Sequence, residues 1–66
     1  MKIFVNGAQR EVSEGATVAA LLSELNVTAR HVAVEVNLQL VPRDRHDACR
    51  LHEADRLEIV TLVGGG

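Results

Sequence analysis

Thr17-Val18-Ala19-Ala20-Leu21-Leu22-Ser23-Glu24-Leu25-Asn26 is the stretch on which the fold turns. Val18, Leu21, Leu22 and Leu25 recur at i, i+3, i+4 and i+7, so they form one apolar stripe along a helix. Thr17 carries the hydroxyl that can cap a helix beginning at Val18. Ala19, Ala20 and Glu24 suit the helix without demanding burial. Asn26 accepts the left-handed conformation that follows a helix end. Such a helix has about two and a half turns at 3.6 residues per turn, too short to stand alone in water. Its stripe must therefore pack on a sheet.

The flanking sequence supplies one. Met1 to Asn6 holds β-formers in alternation, with Ile3 and Val5 on one face and Lys2 and Phe4 on the other. Asn6-Gly7 is the strongest short hairpin signal, because both residues tolerate positive φ. Gln9 to Val12 is the returning strand, and Ser13-Glu14-Gly15 a loop. After the helix, Val32, Val34 and Val36 alternate inward, Asn37-Leu38 can turn, and Gln39 to Val41 is a short partner strand. Pro42 ends it, because proline cannot donate to a ladder. Arg43 to Glu53 is polar and irregular, with Leu51 as an anchor. Ala54-Asp55 makes a turn. Arg56 to Val63 is the last strand, with Leu57 and Ile59 alternating against Glu58 and Val60, and Leu62 continuing the second set.

The order β-β-α-β-β-β predicts an α+β fold: a mixed sheet with one helix packed on one face. The first strand and the strand after the helix are not hairpin neighbours. The last strand can enter between them, parallel to the first. There is no internal repeat, and the chain divides into one domain over 1–63 and a glycine tail over 64–66.

Composition excludes several function classes. A chain of 66 residues buries only about 60% of its unfolded surface, so a deep catalytic pocket would consume its core. Hydrophobic residues make up 47%, enough for a globular domain. With one Phe and no Trp or Tyr, the core must be aliphatic. A net charge of −2 and the lack of stacking aromatics argue against a nucleic-acid binder. No apolar run is long enough to span a membrane, and the apolar part of the N-terminus is too short for a signal peptide. Cys49 cannot form an internal disulfide, which points to a reducing cytoplasm. Asn26-Val27-Thr28 matches a glycosylation sequon, a chance match without a secretion signal.

The chain ends Val63-Gly64-Gly65-Gly66. Glycine has no side chain to bury and loses the most freedom on ordering, so this tail does not serve stability. It makes sense if the Gly66 carboxylate is handed to something else, since a tail without Cβ atoms can thread a narrow channel. A frayed terminus or a cloning remnant would look the same.

The order of elements, the size and the C-terminal Gly65-Gly66 resemble the ubiquitin-like β-grasp sulfur carriers, and within them the ThiS family of thiamine biosynthesis. The matching pieces are the opening strand through Asn6, Thr17-Val18 followed by Leu21-Leu22, the stretch from Val34 to Pro42-Arg43, and Asp55 to Val60 ahead of the diglycine. The chain departs at Ala54, where such carriers usually have Gly before the Asp. Alanine costs little there if the turn has negative φ. Gly64, a third glycine, is a minor variation. The small subunit of molybdopterin synthase shares fold and tail but is usually longer, so the length favours the thiamine branch.

The resemblance implies that Gly66 is adenylated, at the expense of ATP, by a ThiF-like adenylating enzyme. A sulfur donor such as a cysteine desulfurase would then leave a C-terminal thiocarboxylate, whose sulfur passes to a ThiG-like thiazole synthase. Gly64 and Gly65 would thread the partner's channel. The carrier itself would need no catalytic residue, no metal and no bound cofactor, and would not be an enzyme. Two other readings share parts of this chemistry. A ubiquitin-like protein modifier would end as an isopeptide on lysines, and a β-grasp interaction module would have an inert tail.

In the inferred sheet the helix covers Ile3, Val5, Val34, Val36, Leu57 and Ile59. Phe4, Val60 and Leu62 then lie on the opposite face, expected close together, and an exposed apolar patch there is a candidate partner surface. Scattered surface hydrophobes are the alternative. His31, His46 and His52 do not fall at metal-ligand spacings, and with Cys49 they make at most a weak cluster. Cys49 reads as a structural or passive cysteine, because nothing orders a cation or base around it. Arg43, Arg45 and Arg50, interleaved with Asp44 and Asp47, read as a solvated face that could also meet an acidic partner.

Overall fold

Strand β1 runs Lys2–Val5 and β2 runs Ala8–Glu11, antiparallel, with Val5 opposite Ala8. Asn6 and Gly7 close the hairpin with φ of 50° and 84°, positive at both positions as a two-residue type I′ turn requires. The computed structural model describes residues 1–27 and 31–61. The sequon residue Thr28, the end of the last expected strand at Leu62 and Val63, and the tail Gly64, Gly65 and Gly66 lie outside the described residues.

Helix α1 spans Val18–Glu24, with Val18, Leu21 and Leu22 buried. The Thr17 hydroxyl oxygen accepts from the Ala20 N–H at 3.1 Å, so the expected cap forms. At the other end Asn26 takes φ 58°. The Asn26 N–H donates to the Ser23 carbonyl at 3.1 Å and the Val27 N–H to the Leu22 carbonyl at 2.9 Å, the two bonds of a Schellman closure. Val27 packs against the core, as the residue after such a closure commonly does.

Strands β3 (Val32–Val36), β4 (Gln39–Val41) and β5 (Arg56–Thr61) complete a five-stranded sheet in the order β2-β1-β5-β3-β4. β5 enters between β1 and β3, parallel to β1 and antiparallel to β3, as the chain order predicts. The sheet is therefore mixed, with the one helix on one face. Ile3, Val18, Leu21, Val34 and Leu57 form the fully buried centre. Val5, Val32, Val36 and Leu25 pack around them. The core is wholly aliphatic, and cutting back a central member such as Leu21 to alanine would cost about 2–5 kcal/mol.

The polar crossover from Pro42 to Asp55 is less irregular than its composition implies. It holds a 3-10 turn at Arg43–Arg45 and then wraps the start of α1. The Val18 N–H donates to the Cys49 carbonyl at 2.9 Å and the Ala19 N–H to the His46 carbonyl at 2.8 Å. With the Thr17 cap, these satisfy the donors that a helix start leaves unpaired. Leu51 is buried as the expected anchor. His46 is buried too, its Nε2 3.2 Å from the Val41 carbonyl.

Among the described residues, two other than Gly and Asn sit in the left-handed region: Leu38 and Ala54, both at φ 69°. Each costs about 1–2 kcal/mol, because Cβ crowds the following carbonyl oxygen. The departure at Ala54 is therefore not the inexpensive one that a negative φ would have allowed. Asp55, beside it, offsets part of that cost. Its buried carboxylate accepts from the Asn37 side-chain amide at 2.9 Å and from the His52 backbone N–H at 2.8 Å.

Candidate functional site

The tail leaves from β5, and two asparagines from the hairpin turns hold that strand. At its start, the Asn37 N–H donates to the Arg56 carbonyl at 2.7 Å and the Arg56 N–H donates to the Asn37 Oδ1 at 3.0 Å. On the other flank β1 ends at Val5, but the Asn6 side chain continues the pairing. Its Nδ2 donates to the Ile59 carbonyl at 3.1 Å, and its Oδ1 accepts the Ile59 N–H at 2.8 Å. A side-chain amide thus replaces a strand residue, and β5 stays hydrogen-bonded on both sides two residues short of Thr61. The root of the tail is consequently a central strand rather than a loose end.

The face away from the helix differs from the expected patch. Phe4 lies opposite Arg56 in the parallel pair, and the Arg56 guanidinium carbon stands 5.3 Å from the ring centroid. This cation–π contact covers the half-buried ring. Val60 is four residues farther along β5, about 13 Å away at roughly 3.3 Å per residue. Phe4 and Val60 therefore do not touch. The expectation of closeness rested only on the two strands being neighbours, whereas the parallel register sets Phe4 opposite the start of β5. Leu62 lies outside the described residues.

What stands open instead is Val60, 52% exposed beside Ala33, with Leu40 at 65% and Leu38 at 89% on the β3–β4 hairpin. Leu40 was legible from alternation, since Val41 points inward with its pair partner Val34. Glu35 lies between Leu40 and Glu58, directly opposite each. Like charges directly opposed in a sheet are destabilising, so this face is not arranged for the stability of the isolated fold.

Cys49 is half-buried and lines a groove of about 340 Å³ with Arg45, Arg50 and His52. Its backbone belongs to the helix-capping crossover. His31 is exposed, His46 is buried against Val41, and His52 is exposed with Nδ1 4.0 Å from Asp55. Among the described residues no group of three or more His, Cys, Asp or Glu could hold a metal ion. Likewise no helix among them is long and apolar enough to cross a membrane.

A mixed sheet of this order with one helix across it, and a glycine tail following its central strand, defines the ubiquitin-like β-grasp class. Residues 3–66 match the ThiS family, and the chain belongs to that family. The crystal structure of the thiamine biosynthesis protein ThiS from Geobacter metallireducens superposes with a TM-score of 0.85 at 36% identity, over 100% of both chains. The sulfur carrier protein ThiS of Escherichia coli is 27% identical over 100% of both chains. A thiazole synthase of Paramagnetospirillum magneticum is 47% identical over the whole of this chain, which spans 20% of that protein's length. The same share holds for a thiazole synthase of Magnetococcus marinus at 39% identity.

Proposed function

We propose that this protein is the sulfur carrier of thiazole formation in thiamine biosynthesis, working through the carboxylate of Gly66. The observation that carries this reading is a ThiS-family chain whose three C-terminal glycines come after the middle strand of the sheet. A free carboxylate is a poor electrophile, because its oxygen does not leave. Attack of that oxygen on the α-phosphorus of ATP gives an acyl-adenylate and releases pyrophosphate. A persulfide on the donor then attacks the carbonyl carbon and displaces AMP. A thiol cleaves the resulting acyl disulfide, leaving a disulfide on the donor side and a thiocarboxylate on the carrier, a strong nucleophile at neutral pH.

The carrier supplies the arm and the recognition surface. A ThiF-like adenylating enzyme binds the ATP, and a donor such as a cysteine desulfurase supplies the sulfur. A ThiG-like thiazole synthase receives it. The two thiazole synthases that contain a stretch similar to this whole chain favour that last partner. In this reading the chain is not an enzyme and holds no cofactor, and it works in the cytoplasm, where ATP and reduced sulfur are available. Fully extended, the five residues after Thr61 would span at most about 17 Å at roughly 3.4 Å each, enough to enter a partner's channel while the domain stays outside. In this reading Val60 and Leu40, together with Phe4 and Leu62, contribute to the surface that partners grip.

The test is mass spectrometry of the chain incubated with ATP, the adenylating enzyme and a sulfur donor. The expected product gains the mass of one oxygen-to-sulfur exchange, confined to the C-terminal peptide. An unchanged mass would refute the carrier reading, and heavier conjugates on lysines would identify a protein modifier instead.

A further inference from the structure

Leu38 stands where folding alone gives no reason for a leucine. It is the second residue of the turn between β3 and β4, at φ 69°, and it is 89% exposed. The same chain builds the corresponding turn between β1 and β2 from Asn6 and Gly7, at φ 50° and 84°. Both turns begin with asparagine, and only the first ends with glycine. Glycine avoids the clash between Cβ and the following carbonyl. It also leaves no aliphatic side chain in water. At such exposure neither cost is returned by contacts within the chain. Strained residues of this kind concentrate where a protein meets its ligands.

The surroundings fit a docking role. Leu40, two residues on, is 65% exposed. Leu38 also forms the rim of a hollow of about 450 Å³ lined by Phe4, Arg56, Leu57 and Glu58. The turn is bonded to the strand that leads to the tail, through Asn37 and both the N–H and the carbonyl of Arg56. From Arg56 to Thr61 that strand extends about 17 Å at roughly 3.3 Å per residue.

We propose that Leu38 is a docking anchor, seated in an apolar socket on the adenylating partner. A ridge of that partner would fill the neighbouring hollow and present a basic side chain to Glu58, which faces Glu35 across the sheet. The inference rests on the carrier reading above. Adenylation is the step that selects this occupant, because in-line attack tolerates about 1 Å of misplacement. An anchor at one end of β5 and a carboxylate beyond the other fix the depth at which the tail enters.

The experiment compares the wild-type chain with Leu38→Gly and Leu38→Met, measuring thermal unfolding, calorimetric affinity for the adenylating enzyme, and acyl-adenylate formation. Leu38→Gly is expected to raise Tm by about 5 °C as the strain is relieved. It is also expected to weaken binding about tenfold, the scale of one buried aliphatic side chain. Leu38→Met should keep the affinity. A purely structural residue would move stability and affinity together. Unchanged affinity in Leu38→Gly, with the wild type still adenylated, overturns the anchor and leaves the carrier reading intact. A Tm that does not rise removes the strain from which the inference starts. Failure of the wild type to be adenylated sinks the carrier reading, and the anchor with it.

Discussion

At the scale of single residues, this chain tolerates strain at positions with different consequences. Ala54 at φ 69° precedes Asp55, whose carboxylate ties the turn to Asn37 and His52. Ala54 itself is exposed, and its N–H donates to the Lys2 carbonyl at 2.7 Å, a bond that glycine would keep. Ala54→Gly should raise stability by about 1 kcal/mol, less than the full strain because glycine also gains freedom in the unfolded chain. Urea unfolding would check this through a higher midpoint at unchanged slope. Ala54 is visible in the sequence as a departure from the family pattern. Its sign of φ is not, because it depends on how the crossover meets β5. Phe4 makes the same point. Its alternation is legible, but its cover by Arg56 follows from a parallel register that neither strand contains by itself.

At the scale of elements, α1 is readable to within a residue, because its stripe, cap and stop all agree. The cap is worth testing. Thr17→Ala removes the acceptor of the Ala20 N–H and should cost about 1 kcal/mol, seen as a lower Tm with an unchanged sheet signature in circular dichroism. A smaller loss would mean that the crossover carbonyls of Cys49 and His46 carry the helix start alone. That crossover is the element composition describes worst. Its polar residues read as loop, yet its backbone supplies two of the helix's N-terminal acceptors. Those bonds join residues about thirty positions apart, and no local pattern encodes such a pairing.

For the whole molecule, the question is how a small domain delivers one carboxylate. β5 is held by Asn37 at its start and Asn6 near its end, so the tail departs from a fixed point. Deleting Gly66 leaves a glycine carboxylate about 3.5 Å short. Partner affinity should hardly change, while acyl-adenylate formation slows about a hundredfold or more, as misplacement by more than 1 Å implies. Single-turnover kinetics beside calorimetry would separate the two, and equal rates would mean the tail is not held at a set depth. On the open face, Val60→Asp should weaken binding to the adenylating enzyme by several kcal/mol, with a Tm close to wild type because Val60 is 52% exposed. Unaltered affinity would take Val60 out of the partner surface.

The sequence by itself determined the element order, both hairpin turns, the helix with its ends, the aliphatic core and the glycine tail. Each of these rests on residues within a few positions of one another, through periodicity, turn chemistry and the lack of a side chain. Only the tertiary structure decided which exposed residues share a face and how far apart they stand. It separated Phe4 from Val60, brought Glu35 between Leu40 and Glu58, turned Asn6 into a substitute strand residue for β5, and set Leu38 in a strained turn at the edge of a hollow. The physical reason is register: side-chain alternation assigns a residue to a face, whereas its neighbours across the sheet depend on hydrogen bonds between strands distant in the chain.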